Sequence, residues 1–144
     1  MCHSATVSYS CDASVPKLAR DYCAEFVAAA IPGGQASLDL VDDTRLVVSE
    51  IVTNAVNAGS ADVQVTVEIH RAHVRIAVDD HAPSRPQRRW AGPEDDLGRG
   101  LTIVAKLSRD WGVEYAAHGK QVWAELRAAA HFTFSVPCYL GAGT

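Results

Sequence analysis

Two side chains with oxygen donors, Glu50 and Asn54, stand four residues apart in an apolar stretch of the chain. In an α-helix this spacing places them one turn apart on the same face, and Asn57 extends the polar line. A carboxylate can accept a proton from a hydroxyl, and an amide oxygen suits a hard cation such as Mg²⁺. A solvated helix face has the same pattern, so this spacing alone leaves both interpretations open, although the apolar residues on either side weaken the second.

A further candidate carboxylate, Asp80, ends the alternating apolar run that begins at Val74. The period of two of a β-strand puts Asp80 on the apolar face, so its carboxylate is predicted to point toward the buried layer. A buried carboxylate needs a partner, and a ligand amine would provide one. Asp79 lies on the opposite face as the solvated alternative, and a turn-forming aspartate at a strand end remains an equal interpretation.

Glycines that could approach a phosphate occur in the segment Gly98-Arg99-Gly100, which is predicted to precede a short helix starting near Leu101. Free N–H groups at a helix start can bind phosphate, and glycine permits close approach of the backbone. By itself this short pattern is weak evidence. Three other arginines, Arg85, Arg88 and Arg89, are interpreted as solvated surface.

Periodicity predicts the elements that must position these residues. The first half contains a strand at 6–11, a helix from Val15 to Ala30, a helix from about Leu38 to Ala58, and a hairpin of strands at 63–69 and 74–80. A long loop follows at 81–100, then a short helix, strands at 111–118 and 121–127, and a hairpin turn at Gly119-Lys120.

This order contains no βαβ repeat. It predicts an α+β fold, a two-layer sandwich with helices on one face of a mixed, largely antiparallel sheet. We expect one domain over residues 1–144, with the motifs within 39–127 and a tail at 128–144 that is either an edge strand or disordered.

Composition excludes several classes of function. A net charge of -4 without a basic stripe argues against nucleic-acid binding, and no apolar run reaches the roughly 20 residues of a membrane span. The N-terminal sequence lacks a secretory signal pattern, and the four cysteines are scattered, so we expect a cytoplasmic protein with reduced thiols. The six histidines have no metal-ligand spacing.

Four segments occur in a specific order: VVSEIVTNAVNAG, IAVDDHAPSRP, DLGRGLTIVAKLSRDWGV and GKQVWAEL. Together they resemble the GHKL superfamily of ATP-binding domains, the histidine-kinase-like ATPases, and in particular its short bacterial anti-sigma-factor serine/threonine kinases. The resemblance covers roughly Asp39 to Arg127.

The resemblance implies a role for each candidate residue, with ATP and Mg²⁺ as cofactors. Glu50 would be the catalytic base and Asn54 the magnesium ligand. Asp80 would accept the adenine amino group, with Ala82 beside the adenine ring. The glycine-rich lid that closes on the phosphates would comprise Gly98, Arg99, Gly100 and Leu101.

The function implied is that of a kinase in transcription regulation, which binds a sigma factor and phosphorylates an antagonist protein on serine. Members of this branch are often homodimers, and the resemblance implies neither nucleic-acid nor membrane binding. The alternative is a non-catalytic switch that binds nucleotide and controls a protein partner, which is favoured by Ala82 and Ser84 in place of two motif glycines. A fragment of a sensor histidine kinase ranks last, since these residues contain no phosphoacceptor helix or membrane span.

Overall fold

The structure is a computed structural model that describes residues 3–31, 35–82 and 96–127. Its elements follow one another in the order β1 (His3–Ser10), α1 (Val15–Ala30), α2 (Gln35–Asn57), β2 (Asp62–Ile69), β3 (His73–Asp80), α3 (Asp96–Leu107), β4 (Asp110–Ala116) and β5 (Gly119–Arg127).

The five strands form one sheet in the order β1-β2-β3-β5-β4. Each of the four strand pairs within the described residues is antiparallel. The helices α1 and α2 pack against each other and contact the sheet, and α3 packs against α2. The predicted α+β two-layer fold is therefore confirmed.

Alternation of buried and more exposed residues, clearest along β2, shows which face of the sheet is covered. Along β2, the residues Val63, Val65, Val67 and Ile69 are buried, whereas their neighbours are exposed or half-buried. Burial of each such side chain stabilises the fold by about 1.5–3 kcal/mol. The core forms where this face meets the buried sides of the helices, which include Val27 on α1, Ile51 on α2 and Val104 on α3.

Helix α1 illustrates how the sequence defines an element. Pro16 occupies its first turn, where a missing N–H group costs nothing, and the buried residues Val15, Ala19, Cys23 and Val27 recur every four positions. Burial raises the pKa of the Cys23 thiol to about 12, so this cysteine remains a neutral packing residue. Within the described residues, no helix is long and apolar enough to cross a membrane.

The predicted loop at 81–100 is too long at its C-terminal end, because α3 already begins at Asp96. Leu97, Leu101 and Val104 continue the helical spacing of four and three back through the two glycines, and this apolar period outweighs the low helix propensity of glycine. The rest of the predicted loop, 83–95 with Ser84 and three of the arginines, lies outside the described residues. So does the tail at 128–144.

The predicted turn at Gly119-Lys120 is wrong by two positions. Ala116 pairs with Gly119, so the turn consists of Ala117 and His118, and Lys120 belongs to β5. Gly119 is needed for another reason. Its φ is 145°, and a Cβ atom at this position would meet the backbone oxygen of Asp80, which lies on the neighbouring strand.

The substitution Gly119→Ala is expected to destabilise the protein by more than about 3 kcal/mol, because it combines an unfavourable φ with a backbone clash. Urea-induced unfolding measures this loss. Gly59→Ala is the matched control, since Gly59 also has a positive φ, of 86°, but is exposed. Its cost should be about 1 kcal/mol. Equal losses for the two variants would mean that the close approach to Asp80 is unimportant.

Candidate functional site

The end of the sheet at which β3 stops brings together residues from four strands. Asp80 pairs with Val63 of β2 on one side and with Lys120 of β5 on the other, and Lys120 in turn pairs with Tyr115 of β4. Since Asp80 and Lys120 continue the inward-facing rows of β3 and β5, both side chains point toward the helix layer.

Asp80 and Lys120 form a buried ion pair. The Lys120 Nζ atom lies 2.5 Å from Oδ2 of Asp80, and the two side chains are 6% and 2% exposed. The predicted inward orientation of Asp80 is thus confirmed. The partner that a ligand amine was expected to provide is supplied by the chain itself, from a residue 40 positions away.

Ser60 holds the backbone around this pair. Its hydroxyl donates to the backbone oxygen of Asp62, at 2.6 Å, and accepts a hydrogen bond from the N–H of His81, at 2.9 Å. The next N–H group, that of Ala82, donates to Oδ1 of Asp80 at 3.1 Å. The start of β2 and the residues that follow β3 are therefore fixed relative to each other and to the Asp80 carboxylate.

A cavity of about 480 Å³ opens beside the ion pair. It is lined by the end of β3 and by the β4–β5 hairpin, including the exposed ring of Tyr115. This volume lies within the usual range for small-molecule sites, and an aromatic ring with a few polar groups is the typical lining of such sites. The geometry provides room for a planar ring next to a buried donor and acceptor.

The polar line predicted on α2 is present, and Glu50 and Asn54 are both half-buried. The Asn54 side-chain nitrogen is buried and has no hydrogen-bond partner within the described residues. An unpaired buried amide costs about 1–3 kcal/mol, and a ligand with a hydrogen-bond acceptor would remove this cost. Its N–H would donate to a phosphate oxygen, and a half-turn of the amide would present its oxygen to Mg²⁺ instead.

Glu50 lies one turn before Asn54 and makes no hydrogen bond or ion pair within the described ranges. Its carboxylate therefore has the capacity to accept a proton from a hydroxyl group. The donor set of α2, a carboxylate and an amide without partners among the described residues, fits the binding of a phosphate group and a hard cation.

The chain connection places the end of α2 near the ion pair. Ser60 donates its N–H to the backbone oxygen of Ala55, one residue after Asn54, and the chain then enters β2, where Val63 pairs with Asp80. Asn54 and Asp80 therefore lie at the same end of the domain.

The glycine-rich segment is placed differently from the prediction. Gly98, Arg99 and Gly100 lie within α3 and not before it, and Leu101 packs against the hydrophobic core. Only the first four N–H groups of a helix are free, so Gly98 lies close enough to the start at Asp96 to offer one, whereas Gly100 does not.

Sequence reasoning overlooked Lys120 and Ser60. The signal for Lys120 was present, since it continues the inward row of Val122, Ala124 and Leu126, where a charged residue stands out. Because Lys120 was assigned to a turn, its place in this inward row was overlooked. No comparable pattern marks Ser60, because its role depends on the juxtaposition of two strands that are distant in sequence.

Comparison with known families agrees with this geometry. The model of the histidine kinase-like ATPase domain matches residues 12–126, well over half of the chain. The chain belongs to this family. Domains of this kind bind ATP, usually with Mg²⁺, which supports an ATP-binding regulatory function and confirms the GHKL assignment. No curated protein is similar enough to the chain to count as a match.

The ion pair of this ATPase domain makes a prediction for stability. Lys120→Met leaves the Asp80 carboxylate buried without its partner, so it should cost about 3–5 kcal/mol in the free energy of unfolding. The double variant Asp80→Asn/Lys120→Met removes both charges and should be much less destabilised than the sum of the single variants. Urea-induced unfolding of all three proteins measures the coupling.

Lys17→Met is the control, because Lys17 forms a pair with Asp21 on the surface of α1. This variant should lose less than about 1 kcal/mol. Additive losses in the Asp80 and Lys120 variants would show that the two charges do not interact.

Proposed function

We propose that this ATPase domain is a bacterial cytoplasmic serine/threonine protein kinase of the anti-sigma-factor type, which phosphorylates an antagonist protein. One observation carries the proposal: the amide of Asn54, which has no partner among the described residues, and the buried carboxylate of Asp80 lie at the same end of the domain, where Asp80 lines a cavity. In this arrangement Asp80 accepts the adenine amino group and Asn54 faces the phosphates.

Bound Mg-ATP would supply the phosphoryl group and the cation that offsets its charge. Glu50 accepts the proton of the acceptor serine hydroxyl as the serine oxygen forms its bond to the γ-phosphorus, and the bond from the γ-phosphorus to the bridging oxygen breaks to release ADP. The free N–H groups at the start of α3, to which Gly98 contributes, stabilise the phosphate charge.

The partners in this proposal are a sigma factor, an antagonist protein, or both, together with a second copy of the chain as a homodimer. Exposed apolar residues on the helices support protein contact, because Leu18 and Tyr22 lie one turn apart on α1 and remain 50% and 38% exposed. The net charge of -4 supports a protein partner over a nucleic acid.

A non-catalytic nucleotide switch is the second candidate, and it is favoured by a specific observation. Both oxygens of the Asp80 carboxylate already accept hydrogen bonds within the chain, from Ala82 and Lys120. In addition, Ala82 stands where the family motif has glycine. A nucleotide can bind beside this pair without a contribution from Glu50, so binding and phosphoryl transfer are separable.

Saturating Mg-ATP is expected to raise the thermal midpoint by about 5–10 °C, which corresponds to about 2.7 kcal/mol at a hundredfold excess over Kd. Asn54→Ala should lose most of the part of this rise that depends on Mg²⁺. Asn57→Ala serves as the control, because Asn57 lies on the same helix but is exposed. A wild-type midpoint that does not move with Mg-ATP would contradict the nucleotide site.

Glu50→Gln is expected to lower the rate of phosphoryl transfer by at least about 100-fold, since glutamine has the same shape but cannot accept the proton. The shift of the thermal midpoint with Mg-ATP should be unchanged. Transfer of radiolabelled phosphate to candidate antagonist proteins measures the rate, and Glu25→Gln, on the exposed side of α1, is the control.

Phosphorylation that persists in Glu50→Gln would contradict the proposed role of this carboxylate. A wild-type protein that binds Mg-ATP but transfers no phosphate to any antagonist protein would favour the switch.

A further inference from the structure

Lys120 is an unusual residue for its position. It lies on the helix-facing row of β5, which continues with Val122, Ala124 and Leu126, and its side chain is 6% exposed. Burial of an ammonium group at such a position is costly unless its hydrogen bonds are made. The one bond found within the described residues goes to Asp80.

An ammonium group carries three donors, so Lys120 retains two for which the described residues supply no acceptor. An ionised carboxylate has about four acceptor positions, so Asp80 also has capacity left beyond its bonds to Lys120 and Ala82. Both residues line the 480 Å³ cavity. The wall of this cavity therefore presents a donor and an acceptor side by side.

This pattern complements one edge of adenine, where the amino group on C6 is a donor and the neighbouring ring nitrogen N1 is an acceptor. The sugar and phosphates leave the base from N9, on the opposite side of the ring system. Because the ion pair is buried, the edge that reaches it must be the one farthest from the sugar, which is the edge with N1.

We propose that Lys120 is a specificity-determining residue of the nucleotide site and donates a hydrogen bond directly to N1 of adenine, while Asp80 accepts from the amino group. The inference rests on the proposed nucleotide site and adds to it a second residue that recognises adenine. In guanine, the group at C6 is an acceptor and N1 is a donor, so both contacts would become repulsive in the same orientation.

The test compares ATP with two analogues on the wild-type full chain, by titration calorimetry in the presence of Mg²⁺. In 1-deaza-ATP the acceptor N1 is replaced by a C–H group, whereas 7-deaza-ATP keeps N1 and the amino group and serves as the ligand control. We expect 7-deaza-ATP to bind like ATP, and 1-deaza-ATP and GTP to bind about 10- to 100-fold more weakly.

Lys120→Met completes the experiment, because it should bind ATP and 1-deaza-ATP equally. Lys17→Met, which removes a positive charge from the exposed part of α1, should keep the wild-type preference. The analogue series on the wild-type protein decides the matter even if Lys120→Met fails to fold.

Equal binding of ATP and 1-deaza-ATP to the wild-type protein would overturn the role of Lys120 and leave the proposed nucleotide site intact. Weakened binding of 7-deaza-ATP alone, or GTP binding as tight as that of ATP, would also overturn it, because the base would then be read from another edge. A protein that binds none of the nucleotides would overturn the proposed function and this inference together.

Discussion

The buried ion pair between Asp80 and Lys120 is the interaction on which the arrangement of the site depends. It lies at the end of a sheet face that is otherwise apolar, so each charge is tolerated only because the other is 2.5 Å away. The pair fixes the register of β3 against β5, since a slip of one residue would turn one of the charges to the opposite face. At the neighbouring position 119, the chain needs glycine because the backbone of Asp80 occupies the space of a side chain.

Ser60 adds a second constraint, which joins the helix layer to the same end of the sheet. Through its contacts with Ala55, Asp62 and His81, the end of α2 is held at a fixed place relative to the end of β3. Asn54 belongs to a rigid helix, and Asp80 to a central strand. Groups held in this way lose little further entropy when a ligand binds, which favours a preorganised site.

Much of the fold could be predicted from the sequence, because apolar residues recur with a regular period along most of the helices and strands. The alternation along β2 and β3 predicted these strands closely, and it identified Asp80 as an inward carboxylate. An apolar spacing of three to four residues predicted the bounds of α1 but not its buried face, since Leu18 and Tyr22 are exposed and small residues such as Ala19 are buried instead. The start of α3 was missed because glycines are weak evidence for a helix. Lys120 was missed because a glycine followed by lysine is typical of a turn, and only the contact between distant strands shows otherwise. The roles expected of Glu50 and Asn54 came from family resemblance, since two polar residues four positions apart do not identify a ligand.

The order of the strands has a consequence for how the molecule assembles. The hairpins β2–β3 and β4–β5 are each closed by two or three residues, whereas the pairing of β3 with β5 joins Asp80 to a residue 40 positions later. Closing a long loop costs more chain entropy than closing a short one, so this pairing and that of β1 with β2, which joins residues 52 to 66 positions apart, are the slow and non-local steps of the topology. Any folding intermediate in which the two hairpins have formed but not joined has neither the ion pair nor the wall of the cavity. The candidate site is therefore a property of the boundary between two hairpins, and its ion pair appears only when β3 and β5 have paired.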